Sequence, residues 1–71
     1  MNELRWSDAE DIGIELYEKH SKIDPLSLRC TELHRLVVEL KCFDDDPAAS
    51  TEATLEAIQM AWYDEWKDNQ E

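Results

Sequence analysis

Residues 42–66 read CFDDDPAASTEATLEAIQMAWYDEW, and the fold turns on how this stretch is divided. Its second half is periodic: Leu55, Ile58, Trp62 and Trp66 recur at i, i+3, i+7 and i+11, which places four large side chains in one sector of a 3.6-residue helix. That sector predicts a core-facing stripe on a final helix starting near Ser50 or Thr51 and fraying after Trp66. Its first half is the opposite kind of sequence. Asp44, Asp45 and Asp46 repel one another and resist burial, and Pro47 pushes the residue before it out of the helical region, so Asp44–Pro47 is expected to be a loop that marks the functional side. Phe43 is expected to anchor that loop in the core.

Working upstream, Leu33, Leu36, Val37 and Leu40 keep i, i+3, i+4, i+7 spacing. This predicts a helix capped by Thr31 and packed on the final one, with Glu32, Arg35 and Glu39 outward and Arg35 and Glu39 close enough to pair at i+4. Asp24-Pro25 reads as an N-cap followed by proline at the first helical position, where its missing donor costs nothing, and a short helical turn follows through Leu28. Ser7-Asp8-Ala9-Glu10 has the form of a capping box, placing the first helix from Asp8. On that helix Ala9, Ile12 and Leu16 gather on one side, and Asp8, Asp11, Glu15 and Glu18 recur on the other. Met1–Arg5 has no periodic pattern. The reading is therefore an all-α single domain over 1–71, ordered over about 6–66 with short disordered termini.

Eighteen Asp and Glu against seven Lys and Arg leave a net charge of -11, which disfavours polyphosphate partners and favours a basic partner or a cation. A chain of 71 residues buries only about 60% of the surface its unfolded form exposes, so stability is thin. No apolar run is long enough to span a membrane. The two cysteines, Cys30 and Cys42, follow nothing resembling a signal peptide and read as reduced thiols of a cytoplasmic protein, expected to be a monomer.

Chemistry-bearing motifs are sparse. Cys30 and His34 lie four apart, yet no second pair completes a zinc site, and Cys42 lies about 18 Å of helical rise from Cys30. Carboxylates alone suit hard or borderline divalent ions, and the Asp44–Asp46 run lacks the alternating spacing and glycine of a calcium loop. A phosphate-binding glycine loop and a nucleophile elbow are both missing, and a domain this small has little room for a cleft that would separate carboxylate pKa values. The expectation is a non-enzyme.

The residues nonetheless form a specific pattern. Trp6-Ser7-Asp8, Ile12 with Leu16-Tyr17, Asp24-Pro25, Arg29 with Thr31-Glu32-Leu33-His34, Phe43-Asp44-Asp45-Asp46-Pro47, Ser50 with Glu52, Leu55-Glu56-Ala57-Ile58 and Trp62 with Asp64-Glu65 together resemble the IscX family of iron-sulfur cluster assembly proteins over about residues 6–66. The resemblance implies a modified winged helix and an acidic adaptor or regulator that binds a cysteine desulfurase, in competition with a frataxin-like protein and ferredoxin. It also implies weak, exchangeable binding of ferrous iron, Fe(II). Partner-binding candidates are Asp8, Asp11, Glu15, Glu18, Glu32, Glu39, Asp44, Asp45 and Asp46, and the metal candidates are Asp44, Asp45, Asp46, Glu32 and Glu39. Two rivals stand beside this reading: an acidic iron-buffering or iron-donor protein, and a DNA-mimicking decoy. DNA binding itself is disfavoured by Glu32 and Glu39, which duplex phosphates would repel. Cys30, Leu36 and Ser21 depart from the family pattern, where aromatic, tryptophan and proline residues are usual. Cys30 is accordingly expected to be a small buried hydrophobe and His34 a structural group rather than an iron ligand.

Overall fold

The computed structural model describes residues 3–69. Its helices are α1 (Ala9–Lys19), α2 (Cys30–Val38) and α3 (Glu52–Asp68), with 3-10 turns at Pro25–Ser27 and Pro47–Ala49. The all-helical class is the one the periodicity predicts.

The starts of the helices differ from expectation in instructive ways. Ser7 does not cap α1; Asp8 does, and its carboxylate turns backward to accept the amide of Arg5 at 3.0 Å instead of closing a capping box. Thr31 is likewise not a cap but the second residue of α2. Arg29 is the N-cap there, and Glu32 reaches back to accept the Arg29 amide at 3.1 Å, so the glutamate at the third helical position performs the reciprocal half of a capping box. Thr51 caps α3, close to the start expected near Ser50 or Thr51, its hydroxyl accepting from the Thr54 amide at 3.2 Å. At the far end α3 runs past Trp66 to Asp68, and the Asn69 side chain donates to the Glu65 carbonyl at 2.7 Å. Disordered termini are expected outside about residues 6–66; residues 67 and 68 belong to α3 and Leu4 is buried, while residues 1, 2, 70 and 71 lie outside the described residues.

The core is built from Ile12 and Leu16 of α1, Leu33 and Val37 of α2, Leu40 just beyond it, and Leu55, Ile58 and Trp62 of α3. Trp66 is only half-buried, so the stripe of α3 loses contact with the core in its last turn. Two further core residues come from the stretch before α1, which has no periodicity to announce them. Leu4 and Trp6 are buried because residues 4–6 lie alongside residues 42–44. Leu4 forms a parallel bridge to Phe43, donating to the Cys42 carbonyl at 2.7 Å and accepting from the Asp44 amide at 2.8 Å. Helices α1 and α3 are in close contact at Gly13, where a β-carbon would stand 2.7 Å from Ala61 Cβ and 2.7 Å from the Trp62 amide nitrogen.

Candidate functional site

The carboxylates singled out from sequence sort into two groups once their partners are known. Asp45 is fully engaged: Oδ2 accepts the Trp6 amide at 3.0 Å and Oδ1 accepts the Asp46 amide at 2.7 Å. Those two donors, the Trp6 amide foremost, hold its carboxyl below the usual carboxylate range, with a smaller contribution from the Arg5 charge. Asp46 is engaged too. Its Oδ1 accepts from the Ala48 amide at 2.9 Å as the N-cap of the Pro47–Ala49 turn, and its carbonyl accepts the Trp6 indole N–H at 2.7 Å. Asp44 gives only its backbone to the fold, leaving an exposed carboxylate with no hydrogen bond among the described residues.

The loop is thus a clamp on the N-terminal segment. Trp6 stacks on the His34 ring at 5.5 Å and meets Phe43 edge-on at 4.8 Å, while His34 Nε2 lies 2.6 Å from the Pro47 carbonyl. His34 therefore has the structural role read for it, tying α2 to the loop. Phe43 is half-buried against the core, as expected of an anchor. Cys30 is a correction: it is exposed at the first position of α2, because the helix begins two residues earlier than a Thr31 cap would allow and its N-terminus faces solvent. Cys42 is half-buried beyond the end of α2, and both thiols are free.

Of the remaining candidates, Asp8 spends a carboxylate oxygen on Arg5 and Glu32 on Arg29, whereas Asp11, Glu18 and Glu39 are exposed and Glu15 is partly buried. Glu32 and Glu39 sit at opposite ends of α2, roughly 10 Å apart along the axis. The Arg35 to Glu39 pair does not form; among the described residues the one ion pair is Lys67 with Asp64 at 3.8 Å, both side chains more than half exposed. No three His, Cys, Asp or Glu side chains among the described residues converge to hold a metal ion. What the sequence missed is the division within the triplet. The signal was present, since Asp46-Pro47 repeats Asp24-Pro25, whose aspartate caps its own turn by accepting from the Leu26 amide at 2.9 Å.

A family model described as iron-sulphur cluster assembly matches residues 4–67. The chain is also similar to an uncharacterized protein of Pseudomonas aeruginosa, 47% identical over 62 residues that cover 87% of this chain and 94% of the relative. No helix among the described residues is long and apolar enough to cross a membrane.

Proposed function

Because this chain belongs to the IscX family of iron-sulphur cluster assembly proteins, we propose that it is a non-enzymatic cytoplasmic adaptor that meets the basic surface of a cysteine desulfurase and modulates sulfur delivery. The observation that carries this reading is the unneutralised acid: Asp11, Glu18, Glu39 and Asp44 project exposed carboxylates, and a single exposed ion pair is all the internal compensation among the described residues. Complementary charge of this kind raises association rates and selects partners more than it deepens affinity. Asp45 and Asp46 support the contact indirectly, by fixing the loop from which Asp44 projects. Ferrous iron belongs to the reading as an exchangeable ion drawn to exposed carboxylates, and not as a caged cofactor, since no three ligands converge among the described residues.

The test is association with a purified cysteine desulfurase followed at rising sodium chloride. Expected is an on-rate that falls steeply with salt and falls again, by several-fold at low salt, in Asp44→Asn, with dissociation changed much less. Binding that is indifferent to both salt and Asp44→Asn would overturn the electrostatic reading. Absence of any binding would overturn the adaptor reading itself.

A further inference from the structure

Among the described residues three large hydrophobic side chains are exposed, and two of them, Ile14 at 38% and Met60 at 51%, line the same groove between α1 and α3. Ala57 and Ala61 complete its floor, and its rim carries Glu10, Asp64 and Glu65. None of these acids belongs to the surface proposed for the desulfurase. The groove exists because Gly13 and Ala61 bring α1 and α3 into close contact, which leaves a shallow valley on the solvent side of the crossing. A valley between two helices presents side-chain ridges of the spacing that a third helix packs into.

We infer that the α1–α3 groove docks a basic amphipathic helix of a partner protein, with an apolar side chain seated between Ile14 and Met60 and lysines or arginines over Glu10, Asp64 and Glu65. The charge selects the occupant. An acidic helix would be repelled by Glu10, Asp64 and Glu65, a neutral one would bring them no cationic partner, and a second copy of this chain, itself at -11, would be repelled. Methionine suits the floor, because its unbranched, polarizable side chain adapts to whichever apolar residue is offered. The exposed pairing of Asp64 with Lys67 is no obstacle, since such pairs contribute little and exchange readily.

The probe is a synthetic helix-forming peptide of leucine and lysine with its leucines on one face, compared with a scrambled peptide of equal composition and charge. Methyl NMR of the full chain is expected to place the largest shifts at Ile14, Ala57, Met60 and Ala61 with the amphipathic peptide. Met60→Gln and Ile14→Gln are each expected to weaken binding by about tenfold, the scale of one apolar side chain left unburied. Both positions are exposed, so unchanged helical circular dichroism will show that the fold persists. Asp44→Asn should leave peptide affinity within about twofold, which separates this groove from the desulfurase surface. Equal binding of the scrambled peptide, or shifts centred on the Asp44 loop, would overturn the inference by showing attraction to net charge alone.

Discussion

Asp45 accepts two backbone amides from an exposed position, and those bonds favour its charged form. A carboxyl whose pKa is depressed on folding contributes stability above its unfolded value, and that contribution disappears as pH falls through the lower, folded value. The ordinary value here is 3.8, so the loss falls below about pH 4. Asparagine can accept one of the two amides but not both, because its second terminal atom is a donor. Asp45→Asn is therefore expected to be less stable than the parent at neutral pH, and the gap should narrow as the pH falls below about 4. Urea midpoints across that range check it. A gap independent of pH would mean that shape and not charge holds the Trp6 amide. Asp44→Asn, lacking such bonds, should show no neutral-pH deficit and so serves as the internal control. Converting the whole triplet to asparagine would mix these effects, which is why the single variants are the informative ones.

At the scale of elements, the crossing of α1 and α3 depends on the absence of a side chain at residue 13. Alanine there would gain about 1 kcal/mol of helix propensity over glycine. It would also set a methyl group 2.7 Å from Ala61 Cβ and from the Trp62 nitrogen, and 2.9 Å from the Ala61 carbonyl carbon. Two of those neighbours are backbone and cannot rotate away. Overpacking of this kind costs about 1–3 kcal/mol, so Gly13→Ala is expected to destabilise the protein despite the propensity gain. Adding Ala61→Gly should recover part of the loss but not all, because the Trp62 amide remains in the way. Denaturant midpoints of the single and double variants check this, and a stabilised Gly13→Ala would show that the helices can move apart cheaply. The same scale explains what the sequence disclosed. Leu55, Ile58 and Trp62 announced α3, and Leu33 and Val37 announced α2, because burial of one helical face leaves a local period. Leu4 and Trp6 announced nothing, since their burial comes from pairing with residues about forty positions away, and a single bridge leaves no alternation to detect. The exposed thiol of Cys30 was hidden for a related reason: a two-residue shift in a helix start, from a Thr31 cap to an Arg29 cap, moves it from a flank into the first turn, and helix ends are set by which side chain reaches which amide.

The whole molecule measures 36 × 27 × 16 Å over its described residues and carries eighteen carboxylates against seven cationic side chains in its full sequence. At about 0.01 M ionic strength the screening length is about 30 Å, comparable with the molecule, so its like charges repel across the entire surface. At about 0.15 M it falls to about 8 Å and only near neighbours interact. The unfolded chain spreads the same charges further apart and gains less from screening. Sodium chloride is therefore expected to raise the thermal midpoint between those two ionic strengths, as it would not if surface ion pairs held the fold, since screening weakens attraction as well. The exposed Lys67 to Asp64 pair, the one ion pair among the described residues, offers little for salt to remove. Chloride is the right anion because sulfate strengthens apolar burial on its own account. Glu18→Gln, which removes one exposed charge, should raise the midpoint in low salt and lose most of that advantage at about 0.15 M. A midpoint that stays flat or falls with chloride would mean that the exposed carboxylates are already compensated, and with it would go the reason for assigning them to a basic partner.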